Sequence, residues 1–255
     1  MIPLRRILSN RYHEQDNRLS VYGNRSVYNE ADNISRLERR LAAFLPVARL
    51  KSCVLFVDDG STDGSRGLIV DACRRNNDFY YIFFERNCGL SAAVKAGIDC
   101  ARSPYVGYID ADLQTAPEDF NLLLEYAGSY ELVMGIRAER KDSPFKRLQS
   151  RVANAFRRMI THDGVEDTGC PLKVMRTANA RLMPFFTGMH RFIPALMQLQ
   201  ECRVKQVLVR HFPRTAGKSK YHLRNRLIGP FVDCFAYRWM RKRYINYRIT
   251  GGNLS

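Results

Sequence analysis

Two carboxylates separated by one residue form the pattern in this sequence best suited to hold a metal ion. Residues 105–109 (YVGYI) are apolar throughout, as expected of a buried strand, and Asp110 and Asp112 follow them directly. Gln114 adds another oxygen two residues later. Such oxygens suit Mg²⁺ or Mn²⁺, which often hold substrate phosphates as well. Taken alone, the Asp-x-Asp pattern is explained equally well by an acidic turn that ends a strand.

A second acidic pair ends another apolar run. Residues 53–57 (CVLFV) lead into Asp58 and Asp59, and Gly60 and Ser61 follow. Carboxylates at the carboxyl end of a strand can accept hydrogen bonds from a base N–H or from ribose hydroxyls. The alternative is a turn with a helix cap, because Asp-Gly and Ser-Thr-Asp suit both. Taken alone, this pair favours the turn.

A glycine-containing segment follows the expected strand at residues 79–84. Asn87 and Gly89 lie just before a helical pattern of small residues. Glycine at such a position lets backbone amides approach a phosphate or a ribose. Ordinary helix entry is the simpler explanation of this segment by itself.

Basic side chains are concentrated in the second half of the chain. Arg137 ends an expected strand, Arg151 lies on a basic helix, and Arg214 and Lys220 bracket the basic loop 214–220 (RTAGKSK). Arginine binds phosphate through two parallel hydrogen bonds, and lysine binds it as a point charge. Each of these residues alone could be an ordinary surface charge. Together, and facing an acidic metal site, they favour phosphate binding.

Asp167 lies in the polar segment 163–171, among basic sequence. A carboxylate there can orient a nucleophile or pair with an arginine. It can also simply cap a turn. The sequence leaves these three roles open.

The hydrophobic periodicity alternates between strand and helix over residues 30–135, which predicts an α/β fold with a mostly parallel sheet and helices on both faces. The second half is less regular. Gly23, Asn24 and Arg25 form a poor strand centre. Strands are expected at 21–27, 53–57, 79–84, 105–109, 131–135, 172–176 and 203–212; helices are expected at 32–45, 63–75, 89–101, 117–127, 144–160, 189–200 and 223–245.

Length and charge restrict the class of protein. The chain has 255 residues, enough for one large domain with a substantial core. Its net charge is +16, from 41 Lys and Arg against 25 Asp and Glu, so an anionic partner is expected. No nucleic-acid-binding motif accompanies the charge, which argues against a nucleic-acid partner.

Cysteine usage and hydropathy indicate a cytosolic environment. The seven cysteines are scattered and include no C-x-x-C pair, so reduced thiols are expected rather than disulfides or structural zinc. The amino terminus lacks an apolar signal core, and no segment approaches the ~20 apolar residues of a membrane span. We therefore expect neither a signal peptide nor a transmembrane helix.

The order of these segments closely resembles the family 2 inverting glycosyltransferases. The resemblance covers about residues 27–225 and begins with Val27-Tyr28-Asn29-Glu30, Asp58–Gly64, Arg86-Asn87-x-Gly89 and Asp110-Ala-Asp112-Leu-Gln114. Three later motifs look like the polyprenyl-phosphate hexosyltransferase branch, which includes dolichol-phosphate mannose synthases and bacterial undecaprenyl-phosphate glycosyltransferases. They are Gly135-x-Arg137, Asp167-Thr168-Gly169 and Arg214-x-x-Gly217-x-Ser219-Lys220.

This resemblance implies a GT-A fold and a UDP- or GDP-sugar donor. It places Asp110, Asp112 and Gln114 on Mg²⁺ or Mn²⁺ and gives catalytic roles to Asp112 and Asp167. Phosphate and acceptor binding would fall to Arg151, Arg214 and Lys220. The nucleotide-sugar would be bound by Tyr28, Asn29, Glu30, Asp58, Asp59, Asn87, Asp110 and Arg137.

The residue types agree with transfer to a lipid phosphate. A cation neutralises the leaving diphosphate, and an acceptor phosphate is already anionic, so a strong base is less necessary. One alternative is a saccharide or other hydroxyl acceptor, with Asp167 as the base. A catalytically inactive scaffold is a second alternative, kept open by residues 23–27, where relatives run apolar residues into a proline.

The chain divides into three expected regions: an irregular segment 1–20, the GT-A domain 21–222 and a basic amphipathic segment 223–255. The last predicts a peripheral enzyme at the cytoplasmic face, on an anionic membrane surface. A helix packed on the domain explains it equally well. A separate membrane-protein partner and the oligomeric state are left open. The expected headgroup contacts are Phe231, Phe235, Tyr237 and Trp239, and the expected contacts with anionic lipid are Arg238, Arg241, Lys242 and Arg243.

Overall fold

The computed structural model describes residues 19–112, 114–138, 155–213, 223–247 and 250–251. For residues 19–26, 223–228 and 230 it describes the backbone. Arg151, Arg214 and Lys220 lie outside the described residues, as do most of segment 1–20 and the first part of the helix expected at 144–160.

A seven-stranded sheet organises the described part of the chain, in the order β3-β2-β1-β4-β6-β5-β7. Four of its six neighbouring pairs are parallel and two, both involving β6, are antiparallel. The mostly parallel sheet predicted from the sequence is therefore confirmed. The strands are β1 (Leu19–Val27), β2 (Ser52–Asp58), β3 (Phe79–Phe83), β4 (Tyr105–Ile109), β5 (Leu132–Arg137), β6 (Lys173–Arg176) and β7 (Val204–Val209).

Helices cover both faces of this sheet. They are α1 (Ala31–Phe44), α2 (Ser65–Arg75), α3 (Leu90–Cys100), α4 (Phe120–Leu124), α5 (residues 155–161), α6 (Thr177–Arg181), α7 (Ile193–Leu199) and α8 (Leu223–Arg243). Short 3-10 turns occur at Leu45–Val47, Pro117–Asp119 and Met189–Arg191.

The core forms two layers because β2 is buried on both faces. Val54 and Phe56 point into the layer under α1, while Leu55 and Val57 point into the layer under α3 and α7. Alternation of this kind follows from the two-residue period of a strand. An apolar run such as 53–57 is therefore what a central strand of a parallel sheet needs.

Strand β6 runs against its two neighbours. Lys173 pairs with Tyr108 of β4 on one side and with Met134 of β5 on the other. The start of β6 therefore lies beside the carboxyl ends of β4 and β5. The loop that precedes β6, which contains Asp167, is brought to that same edge.

The polar segment in β1 lies at a bulge. Gly23 pairs with Phe56, but Val27 pairs with Asp58, so four steps along β1 match two along β2. Pairing of β1 with β4 ends at Gly23 and Ile109. Of the residues that fit poorly in a strand centre, Gly23 thus ends the regular ladder, and Asn24 and Arg25 lie in the bulge beyond it.

Helix α8 packs on the domain through one face. Cys234 and Tyr237 are buried in the same core layer as α3 and α7. The Tyr237 ring stacks on Phe192, and its hydroxyl donates to the Ala195 carbonyl oxygen at 3.3 Å. The expectation that Tyr237 faces lipid headgroups is therefore wrong. Among the described residues, no helix combines the length and apolar character that crossing a bilayer requires.

Replacing Tyr237 tests how firmly α8 is docked. Tyr237→Ala should lower the free energy of unfolding by about 3 kcal/mol or more, because it leaves a large cavity. Trp239→Ala, on the exposed face of the same helix, should change it by less than about 0.5 kcal/mol. Denaturant unfolding of both variants measures this difference, and equal effects would show that α8 is not docked through Tyr237.

Candidate active site

The acidic and basic motifs meet at the carboxyl edge of the sheet. Asp58 ends β2, Asp110 follows β4, and Arg137 ends β5. Strand β1 lies between β2 and β4, so the strand order reverses there. In open α/β sheets ligands bind at such reversal points, outside the carboxyl ends of the strands.

The Asp-x-Asp pair lies in the turn after β4. Asp112 is buried, and its Oδ1 accepts a hydrogen bond from the Gln114 N–H at 3.3 Å. Asp110 Oδ1 accepts one from the Tyr108 hydroxyl at 2.9 Å. These oxygen donors fit a hard divalent cation. Within the described ranges no group of three His, Cys, Asp or Glu side chains could hold a metal, so such a cation would need further oxygens, for example from a bound diphosphate.

Asp58 is fully buried at the end of β2. Its Oδ1 accepts hydrogen bonds from the Ser61 N–H and from Arg66 Nε, both at 3.0 Å. Its Oδ2 is also buried, yet it has no hydrogen-bond partner among the described residues. A buried oxygen of this kind needs an explanation, and a ligand N–H or O–H would supply one.

Asp59 organises the neighbouring loop. Its carboxylate accepts hydrogen bonds from Asn87 Nδ2 at 3.0 Å, from the Cys88 N–H at 2.6 Å and from the Gly89 N–H at 2.9 Å. Gly60, with φ of 78°, allows this approach, because a Cβ there would lie 2.4 Å from the Arg86 carbonyl carbon. The nucleotide-binding roles of Asp59 and Asn87 stay predictions.

The segment after β1 is tied to the segment after β2. Asn29 has a φ of 52°, and its Oδ1 accepts the Thr62 N–H at 2.8 Å. The Glu30 N–H donates to Ser65 Oγ at 3.0 Å, and Glu30 Oε2 accepts from Asn33 Nδ2 at 2.7 Å. Asn29 and Glu30 thus hold the edge in shape. The half-buried Tyr28 lies beside them, and nucleotide contacts of all three stay predictions.

Asp167 pairs with Arg137, and pairing with an arginine is one of the three roles that the sequence left open for Asp167. Arg137 Nε donates to Asp167 Oδ2 at 2.7 Å, and Nη2 donates to Oδ1 at 2.8 Å. A two-point contact of this kind fixes the plane and direction of the guanidinium. Gly169 makes room for it, because a Cβ there would lie 2.9 Å from Arg137 Nη2.

Two contacts hold the end of β7 beside the turn that carries Asp110 and Asp112. The Phe212 N–H donates to the Gln114 carbonyl oxygen at 2.9 Å. Arg210 donates to the buried carboxylate of Asp119 through Nε at 2.8 Å and through its backbone N–H at 2.8 Å. Phe212, which shortly precedes the basic segment 214–220 in the sequence, therefore lies beside Gln114.

Sequence reasoning missed three basic residues that shape this edge: Arg66, Arg210 and Lys173. Arg66 binds Asp58 and lies over the Phe83 ring, with 5.3 Å from the guanidinium carbon to the ring centroid. Lys173 is buried in the sheet. None of the three belongs to a recognisable motif. The partner of Arg210 is 91 residues away, while Arg66 and Lys173 bind residues close in sequence through turns that only the folded chain reveals.

Comparison with known proteins assigns the family. Residues 26–186 match the family model Glycosyl transferase family 2. The chain belongs to this family. It is 34% identical over 199 residues to an undecaprenyl-phosphate 4-deoxy-4-formamido-L-arabinose transferase of Edwardsiella ictaluri, a match that covers 77% of this chain and 61% of that protein. The chain thus spans about three fifths of that relative's length.

Two solved structures confirm the GT-A fold of this family 2 chain. One is glucosyl-3-phosphoglycerate synthase from Mycobacterium tuberculosis with Mn²⁺, UDP and glucosyl-3-phosphoglycerate; the TM-score is 0.63 at 13% identity, covering 89% of this chain and 80% of that one. The other is the mannosyltransferase PcManGT from Pyrobaculum calidifontis with GDP-Man and Mn²⁺; the TM-score is 0.62 at 17% identity, covering 87% and 64%.

Adding one methyl group at Gly169 tests the Arg137–Asp167 pair. In Gly169→Ala the Cβ should displace the Arg137 guanidinium and lower the rate of glycosyl transfer by about tenfold or more, a loss of ~1.4 kcal/mol of transition-state stabilisation. The free energy of unfolding should change by less than about 1 kcal/mol.

Gly64→Ala is the matched control, because a Cβ at Gly64 meets nothing within 4 Å. It should keep both the transfer rate and the stability of the parent protein. If Gly169→Ala and Gly64→Ala have equal rates, the position of Arg137 does not matter for transfer.

Proposed function

We propose that this protein transfers a sugar, with inversion, from a UDP- or GDP-sugar to a polyprenyl phosphate. The main support for this proposal is that acidic and basic side chains lie at the same edge of the sheet. An oxygen-rich turn at Asp110 and Asp112 lies across β6 from a guanidinium fixed by Asp167. Such a site suits two anionic groups, one held through a cation and one by direct contact. The undecaprenyl-phosphate transferase named above supports a lipid phosphate as acceptor.

The donor would lie between β1 and β4. Asp58 Oδ2 would accept a hydrogen bond from the nucleoside, which would satisfy its buried lone pairs. Tyr28 and Glu30 would line the same crevice, and Asp59 and Asn87 would keep the loop at residues 86–89 in place. Asp110, Asp112 and Gln114 would hold Mg²⁺ or Mn²⁺, and Mn²⁺ in both solved relatives supports this choice. A bound cation would offset charge on the departing diphosphate.

Arg137 would meet the donor and acceptor phosphates, with Arg151, Arg214 and Lys220 as further contacts. One phosphate oxygen attacks the anomeric carbon while the bond to the diphosphate breaks, and the electron pair leaves with the diphosphate. No proton has to be removed from an oxygen that is already anionic. Both oxygens of Asp167 accept hydrogen bonds from Arg137, which suits an orienting role better than a base for a hydroxyl acceptor.

Turnover with a short polyprenyl phosphate tests this function. With Mn²⁺ and a panel of UDP- and GDP-sugars, mass spectrometry should detect a sugar linked to the lipid phosphate. Asp112→Asn should lower this turnover by at least about a hundredfold, since a neutral amide is a much weaker ligand for a hard cation. Asp99→Asn, which removes the same charge from an exposed pair with Lys95, should leave it unchanged.

The opposite results would exclude parts of the proposal. Product with a saccharide acceptor but none with the lipid phosphate would favour the hydroxyl-acceptor alternative. Full activity in Asp112→Asn would exclude the metal assignment. Absence of transfer from every donor would favour a scaffold role.

The outer face of α8 would bind an anionic membrane. Phe231, Phe235 and Trp239 are each about half exposed or more, and Arg238 and Lys242 lie on the same face of the helix. At 100° per residue these side chains occupy roughly 100° of the helix circumference. Aromatic rings flanked by basic side chains suit the headgroup region of an anionic bilayer. The enzyme would then act as a peripheral protein at the cytoplasmic face.

Vesicle binding tests this surface. Replacing Phe235 and Trp239 together with alanine should weaken binding to phosphatidylglycerol-containing vesicles by about tenfold or more. Phe231 is left in place, because its ring also stacks on Phe156 of α5.

Replacing two other exposed apolar residues, Leu182 and Leu208, is the matched control for vesicle binding and should not weaken it. Co-sedimentation at two salt concentrations measures both variants. Equal binding by the two double variants would exclude this face of α8 as the membrane contact.

A further inference from the structure

Lys173 is the largest buried charged side chain at this edge of the sheet. It is 2% exposed and lies on β6 between Tyr108 and Met134. Burial lowers the pKa of Lys173, and the nearby carboxylates of Asp167 and Asp110 oppose that shift. An amine in such a place is costly unless its donors are satisfied. An apolar side chain would fill this core position at lower cost, so the lysine requires an explanation.

The contacts of Lys173 lead to the loop that carries Asp167. Its Nζ donates to the Cys170 carbonyl oxygen and, at 3.4 Å, to the Thr168 carbonyl oxygen. The same Nζ lies 5.6 Å from the centroid of the Tyr108 ring. The Lys173 amine thus connects the loop at residues 167–170 to strand β6. Asp167, at the start of this loop, fixes Arg137.

We propose that Lys173 is a positioning residue, which holds the loop at residues 167–170 so that Asp167 keeps Arg137 aimed at the substrate phosphates. This inference rests on the proposed function for its kinetic consequence. Lys173 is buried beneath the loop, so in this arrangement it would act through Asp167 and Arg137. A methionine at this position would keep the packing but leave the Thr168 and Cys170 carbonyl oxygens without their donor.

A double-mutant cycle separates this role from a general contribution to stability. Lys173→Met should lower kcat by about tenfold in the otherwise unchanged enzyme, with the donor KM changed by less than about threefold. In the Asp167→Asn background it should lower kcat by less than about twofold, because both changes act through the same pair. Effects that multiply in the double variant would overturn the proposal.

Hydrogen exchange gives a second readout that needs no substrate. In Lys173→Met the amides of residues 167–172 should exchange faster, while those of β4 and β5 keep their protection. Met175→Ala, two residues further along the same strand, is the matched control, because it weakens a core layer that contains none of residues 167–172. Unchanged loop exchange in Lys173→Met, or an equal increase in Met175→Ala, would also overturn the proposal.

The two readouts distinguish this inference from the function on which it rests. If the unchanged enzyme forms no sugar-lipid product, the proposed function fails, and loop exchange still decides whether Lys173 holds the loop. If Lys173→Met does not fold, Lys173→Gln is measured in the same way. The glutamine side chain keeps one NH₂ group that can donate hydrogen bonds. The kcat and the loop exchange of Lys173→Gln should therefore lie between those of the parent protein and those expected for Lys173→Met.

Discussion

The site depends on one strand that runs against its neighbours. If β4 and β5 were adjacent and parallel, only their own carboxyl ends would reach the site. The reversed β6 between them brings its own start, and the loop before it, to that edge. Asp167 reaches Arg137 for this reason, and Lys173 lies directly below the loop. The separation between the acidic turn after β4 and the guanidinium at the end of β5 is therefore set by the width of one inserted strand.

Two acidic residues of the sequence motifs form hydrogen bonds within the protein. Asp59 binds three N–H groups of the loop at residues 87–89, and Asp167 binds Arg137. Carboxylates that accept several hydrogen bonds are good at fixing a loop, because each bond to a charged acceptor is stronger than a neutral one. Asp58 differs, since one of its buried oxygens has no partner among the described residues. The motif acids thus include some that shape the edge and, under the proposed function, others that would meet a ligand.

The sequence predicted most strands and helices because their signals are local. The apolar run at 53–57 and the helical spacing of Ile34, Leu37 and Leu41 need no knowledge of the rest of the chain. The direction of β6 carries no such signal, since a four-residue strand looks the same in either sense. Arg66 pairs with Asp58 and Arg210 pairs with Asp119 across different structural elements. The sequence alone therefore could not predict these two ion pairs. The polar residues of β1 were recognised as unusual, and the bulge explains them.

Helix α8 shows how a correct pattern can still assign a residue to the wrong face. Aromatic and basic residues occur all around it, so its sequence does not say which aromatic ring faces the core. Packing decides this, because Tyr237 finds both a ring to stack on and a carbonyl oxygen for its hydroxyl. The inner face also approaches Gly188, where a Cβ would lie 2.6 Å from Asp233 Oδ2. The Gly188 N–H in turn donates to Ser91 Oγ at 3.0 Å, in the first turn of α3.

These contacts connect α8 to the loop that Asp59 holds, since α3 begins directly after Gly89. The position of α8 is therefore linked through α3 to the loop at residues 87–89. Removing the whole helix would remove the outer face and would also expose the core residues that pack against Cys234 and Tyr237, so loss of membrane binding in such a deletion would not identify the residues that would face lipid. Phe231 stacks on Phe156 of α5 with ring centroids 4.9 Å apart, so its replacement would also disturb docking. Substitutions confined to Phe235 and Trp239 leave these inner contacts in place, so they separate docking to a membrane from the integrity of the fold.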